Sequence, residues 1–215
     1  MIKLFKKEIA LVIHPTAYIF LALSMMLIIP NYPYYVIFFY TGLAIFFTCL
    51  NGRENNDILY SAMLPISKKE IVKSRFCLVI LLEIMQILLA IPFAIIRQKM
   101  NVPSNQVGME ANIALFGFSL IMLGIFNMVF FLIYYKDVRK VGVAFVKSSI
   151  AVFLYIAIIE TCVHIIPFFK NYLDTKDTFY ISYKLLMLGL GIIIYTIMTV
   201  ITYKKAVKLF ENYDI

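Results

Sequence analysis

Six apolar stretches divide this 215-residue chain, and most of its charged residues fall in the gaps between them. The stretches are roughly Pro15–Ile29, Tyr34–Leu50, Phe76–Ile96, Ala111–Tyr135, Ser148–Phe169 and Ser182–Tyr203. A helix needs about 20 apolar residues to cross a hydrocarbon layer of about 30 Å. The last four stretches meet that length and the first two fall short of it. Pro30-Asn-Tyr-Pro33 separates those two and forces a tight turn, so they read as a helical hairpin. The expected fold is an all-α integral membrane protein with six transmembrane helices in a single transmembrane domain, residues 1–215.

Composition agrees, with 63% hydrophobic and 15% charged residues. A soluble domain is nearer a quarter charged, and this chain has too few polar residues to coat a core with water on all sides. The net charge of +8 does not point to nucleic acid, because the basic residues flank apolar runs instead of gathering on one face. Cys49, Cys77 and Cys162 are too few and too scattered for a disulfide framework or a zinc site. The basic start followed by an apolar run resembles a signal peptide, but no small-residue cleavage site closes it, so a retained first segment is expected.

Lysine and arginine accumulate on the cytoplasmic side of membrane helices. With the N-terminus inside, segments 1–14, 51–75, 136–147 and 204–215 would hold 15 of the 20 basic residues. An odd number of spans would spoil that alternation, so both ends are expected inside. Tyrosines near the ends of the stretches (Tyr32, Tyr34, Tyr35, Tyr134, Tyr135, Tyr172, Tyr180, Tyr183 and Tyr203) suggest an interfacial aromatic belt. Before the first stretch, Ile2, Phe5, Ile9 and Val12 recur at helical spacing among Lys3, Lys6 and Lys7, which predicts an amphipathic helix at the inner interface. A basic flank serving only as a topology signal is the plainer alternative.

The longest inner loop, 51–75, is the most structured. Asn55, Asn56 and Asp57 offer a helix N-cap, Ile58, Leu59, Ala62 and Met63 follow on one face, and Leu64-Pro65 stops the helix. Ser67-Lys-Lys-Glu70 is a capping box that starts the third span below the membrane. A helix of two turns is not stable alone in water, so it is expected to dock on the lipid interface or on a partner.

The run from Asp57 to Phe76 resembles a recurrent motif of small ABC-2 type transporter permeases. Leu64-Pro65-Ile66-Ser67, Lys68-Lys69, Ile71-Val72 and Arg75-Phe76 carry the likeness, and length and span layout extend it over essentially the whole chain. The resemblance implies a membrane subunit of an ATP-driven exporter, with two permeases, identical or paralogous, pairing with two ABC ATP-binding subunits. It implies that the helix after the second span is a coupling helix meeting the ATPase through Asp57, Ile58, Leu59, Ala62, Met63, Leu64 and Pro65. It further implies a multi-pass protein of a bacterial plasma membrane. Relatives of similar size include permeases of phenol-soluble-modulin exporters, hence an expected cargo of amphipathic peptides or other hydrophobic molecules. The chain carries no G-x-x-x-x-G-K-[S/T] loop, so it is expected to be no enzyme and to hold no cofactor of its own, ATP being bound by the partner. A membrane scaffold or sensor that binds a cytoplasmic partner but transports nothing fits much of the same pattern.

Five polar side chains interrupt the apolar stretches: Glu83, Gln86, Asn127, Glu160 and His164. Ionised groups at mid-membrane cost about 2.5–3.5 kcal/mol on insertion scales, so they are expected to face protein or water. They are candidates for a translocation path, while interhelical hydrogen bonding is the structural alternative. One histidine and one carboxylate four residues apart make neither a metal site nor a catalytic triad. Gly117, Gly124, Gly189 and Gly191 are candidates for close helix contacts, or for a dimer seam.

Overall fold

The computed structural model describes residues 2–100 and 103–213, and every regular element among them is helical. Helix α1 (Ile2–Lys7) runs on as a π-helical turn over Glu8–Val12. After Pro15, α2 (Thr16–Ala22) tightens into a 3-10 helix over Leu23–Ile28. The other helices are α3 (Tyr35–Glu54), α4 (Asp57–Met63), α5 (Lys68–Lys99), α6 (Ile113–Tyr134), α7 (Val141–Ile165) and α8 (Ile181–Glu211).

Five of these, α3 and α5 to α8, are long and apolar enough to cross a membrane. The first expected span is shorter. Its α and 3-10 parts rise about 22 Å together, below the usual hydrocarbon thickness. Expected boundaries also move. The fifth stretch, read as 148–169, is helical over 141–165, because Pro167 drives Ile166 into an extended conformation and ends α7 there. Helix α5, at 32 residues, rises about 48 Å and carries Pro92 without breaking.

Helix α6 is the centre of the bundle, with α3, α7 and α8 packed around it. Its contact with α8 is backbone to backbone. A Cβ on Gly191 would run into the main chain of Gly117, and one on Gly124 would press on Met198 and Tyr195. Those glycines therefore make an internal seam, whereas Gly189 faces open space. The core beside this seam is aromatic, with Phe76, Phe126, Phe130, Phe131, Tyr135 and Phe210 in successive ring contacts. Here the expected belt needs correction. Tyr34, Tyr35, Tyr134 and Tyr135 are buried within the bundle, while Tyr180 and Tyr183 are exposed. Position along the sequence does not tell which side of the helix those rings occupy.

Segments expected on one side converge at one end. Lys68, at the start of α5, donates to the carbonyls of Glu211, the last residue of α8, and of Tyr213 just beyond it, and Arg53 donates to the Arg139 carbonyl. Lys7 reaches α4. At the opposite end Asn31 accepts from the Gln106 amide, Asn105 donates to Tyr32, and Asp174 accepts from the Glu110 amide.

A clamped helix with an exposed apolar face

Helix α4 begins at Asn56, which adopts a left-handed conformation (φ 50°) and makes no side-chain cap. The expected Asx cap is absent because the left-handed backbone turns the Asn56 side chain away from the helix start, and Asp57 is engaged elsewhere. Its two carboxylate oxygens accept from Lys7 Nζ at 2.6 Å and from Arg75 Nη2 at 2.7 Å. Leu64 ends the helix in an extended conformation ahead of Pro65, and the capping box at Ser67 and Glu70 forms with both reciprocal bonds.

The two faces of α4 differ sharply. Asp57, Ile58 and Ser61 turn inward, and Ser61 is completely buried, accepting from Lys7 Nζ at 2.7 Å. Leu59, Tyr60, Ala62, Met63, Leu64 and Pro65 turn outward, with Met63 75% exposed. The sequence reading placed Ile58 on one apolar face with Leu59, Ala62 and Met63. The structure splits that set and makes the inward face mainly polar. Next to the outward face lies a cleft of about 260 Å³ lined by Arg53, Ile58, Leu59, Val138, Arg139 and Tyr213.

Behind α4 sits a buried ionic cluster, of which the sequence pointed only to Asp57, and to that as an outward partner contact, whereas it is buried against Lys7 and Arg75. Arg75 Nε donates to Glu8 Oε2 at 2.6 Å, and Lys7 Nζ lies 3.2 Å from Glu8 Oε1. Glu8 is fully buried and Arg75 is 2% exposed. The signal was present in the pattern. Leu4, Glu8 and Val12, four residues apart, form the buried side of the N-terminal segment, and a carboxylate in the middle of such a stripe needs a partner. Of the expected apolar face, Val12 is buried, Phe5 is half-buried and Ile9 is exposed, and the side chain of Ile2 lies outside the described ones.

The five polar residues of the spans do not form one lining. Glu83 is buried between α5, α6 and α8, where Asn127 Nδ2 donates to Oε1 at 2.8 Å and the Tyr195 hydroxyl to Oε2. Tyr195 was not anticipated. Gln86 is buried and reaches the Ile37 carbonyl at 3.4 Å. Glu160 and His164 lie apart from these, near the end of α7. Glu160 supports the 103–112 segment, accepting from the Met109 amide at 3.4 Å under Gly108, and His164 is exposed. Among the described residues no cluster of His, Cys, Asp or Glu is arranged to hold a metal ion.

A family model described as ABC-2 family transporter protein matches residues 3–211, nearly the whole chain. The chain belongs to the ABC-2 transporter family. It is therefore a multi-pass membrane protein and the membrane domain of a transporter, a class that in general works with an ATP-binding partner and in pairs. No curated protein and no solved structure matches it. Within this ABC-2 permease, the clamped α4 directly before a long span presents an exposed apolar outward face.

Proposed function

We propose that this ABC-2 permease forms the transmembrane path of an ATP-driven exporter, energised by a separate ATP-binding subunit seated on the outward face of α4. The observation that supports this is the division of α4 into a polar inward face and an apolar outward one. Clamping the inward face to Lys7 and Arg75 holds Leu59, Tyr60, Met63 and Leu64 in the open, an arrangement that costs hydration free energy unless something covers them. The neighbouring cleft, with Arg53 and Arg139 at its wall, adds a polar rim to that apolar patch. Two permease copies and an amphipathic or hydrophobic cargo complete the proposal.

In this reading six spans cross the membrane, the short first one included, and the α4 end is cytoplasmic along with both chain ends. Cysteines introduced at Gln106 and Thr178, exposed at the far end, should react with an impermeant thiol reagent added outside. One at the exposed Asn55 should not, and the reverse pattern would invert the topology.

Docking is tested by Leu59→Asp. Burying a leucine is worth about 1.5–3 kcal/mol, so a carboxylate there should weaken the contact by at least tenfold. The variant should insert normally and lose the ATPase in mild-detergent purification. Retention of the ATPase with normal export would mean that α4 lies on lipid instead. Ser61 is no neutral control, because it is buried against Lys7; Lys204→Gln, exposed on α8 and outside that face, is the suitable one.

A further inference from the structure

The ionic cluster behind α4 joins elements that are remote in sequence. The Arg75 guanidinium, in the second turn of α5, meets Glu8 of the N-terminal segment through Nε at 2.6 Å. Through Nη2 it meets Asp57 of α4 at 2.7 Å, and through Nη1 it lies 3.6 Å from Cys49 Sγ of α3. Its plane is accommodated by Gly52, where an added Cβ would stand 3.4 Å from both terminal nitrogens. Lys7 closes the circuit by touching Asp57 and Ser61 on α4 and lying against Glu8.

Such a network is a poor device for stability alone. Apolar side chains of similar volume often hold a fold as well, whereas a buried fork of charges fixes orientation and register. Register matters for α4, which has seven residues and is too short to keep its place by helix propensity. Only Ile58 adds a large apolar anchor on its inward face.

We propose that Arg75 is a positioning residue that locks the N-terminal segment, α4 and the root of α5 into one rigid body, so that a push on α4 moves α5 directly. Helix α5 continues unbroken to Lys99. There Arg97 donates to the Pro103 carbonyl and Gln98 to Asp177, so displacement of α5 reaches the 103–112 segment at the far end of the bundle. The N-terminal segment is on this account a working part of the transmission, beyond any role as a topology signal. The inference rests on the docking reading above, since it supplies what happens after the ATPase has bound.

Arg75→Lys tests it. Lysine keeps the charge but is a single point donor that cannot bridge two carboxylates with a planar fork. The complex of permease and co-purifying ATPase is placed in lipid nanodiscs and followed by hydrogen exchange, with and without ATP and vanadate. In the native complex, ATP with vanadate should change exchange in 103–112. In Arg75→Lys the amount of bound ATPase should stay within about twofold of native. Exchange in 57–63 should rise at least fivefold and the ATP-dependent change at 103–112 should disappear. Glu8→Gln, which keeps the shape of the contact and removes one of the two charges that Arg75 bridges, should show the same change more weakly and covers the case in which Arg75→Lys fails to insert.

The proposal is overturned if both variants keep the ATP-dependent change, if the change is absent from the native complex, or if ATPase binding falls in step with it. Failure of the docking reading has a different signature, namely Leu59→Asp retaining the ATPase.

Discussion

The two ends of the bundle each bury an arginine, and they use it differently. At the α4 end Arg75 meets two carboxylates at 2.6 and 2.7 Å, from elements 67 and 18 residues away. At the other end Arg97 donates to neutral oxygens, the Tyr34 hydroxyl at 3.0 Å and the Pro103 carbonyl at 2.9 Å, with Glu110 no nearer than 3.8 Å. The first arrangement balances charge and fixes helices relative to each other. The second pins a loop, the 103–112 segment, which is also held by Asn105 and Asn112 donating to backbone carbonyls and by the Glu110, Asp174 and Glu160 carboxylates accepting from backbone amides. Charges matched directly to each other suit the end proposed to receive force, and charges spent on single bonds to backbone groups suit an end that must rearrange.

Removing one partner at each end breaks this comparison most directly. Glu8→Ala leaves Arg75 buried with a single carboxylate, and breaking a buried pair in this way costs about 3–5 kcal/mol. Arg97→Met removes bonds to neutral acceptors and should cost about 1–3 kcal/mol. Chemical denaturation in mixed micelles should rank the two in that order. Equal losses would remove the distinction between the ends.

A smaller effect is expected midway between them. Glu83→Gln keeps shape but cannot accept from both Asn127 and Tyr195, and membrane hydrogen bonds average about 0.6 kcal/mol. A stability loss of about 1 kcal/mol or less with unchanged export marks Glu83 as an interhelical clamp. Intact stability with reduced export would restore it to the translocation path.

A change confined to one loop sharpens the far end alone. Burial raises the Asp174 carboxyl from 3.8 to about 6, and the neighbouring Glu110 and Glu160 add to that shift. Its hydrogen bond from the Glu110 amide and its approach to His164 oppose it. A raised folded-state value means that the closed loop favours protonated Asp174, so closure should strengthen as pH falls through about 6 and weaken above it. Hydrogen exchange of the Glu110 amide, corrected for intrinsic rate, should show roughly tenfold more opening at pH 7.5 than at pH 5. Asp174→Asn should flatten that dependence.

Much of this was legible in the chain itself. The helical class, the long spans and the capped α5 were readable, because apolar run length, prolines and the Ser67–Glu70 spacing act within a few residues of one another. The gathering of segments at two ends also follows the basic-residue count. Which side of a helix faces inward was not readable where polar partners decide it. Ile58 and Leu59 are adjacent apolar residues, yet one is buried and the other exposed, because Asp57 is held by Lys7 and Arg75 and fixes the rotation of α4.

Sequence by itself determined that this protein folds as apolar helices in a membrane, since the cost of placing its side chains in water or lipid is a property of each residue and its near neighbours. Only the tertiary structure decided which of its charges are matched. Glu8, Asp57 and Arg75 are separated by 49 and 18 positions, and nothing in their local sequence says that three helices bring them within hydrogen-bonding distance. A buried charge is tolerated only where its partner arrives, and that meeting point belongs to the packing of the whole chain.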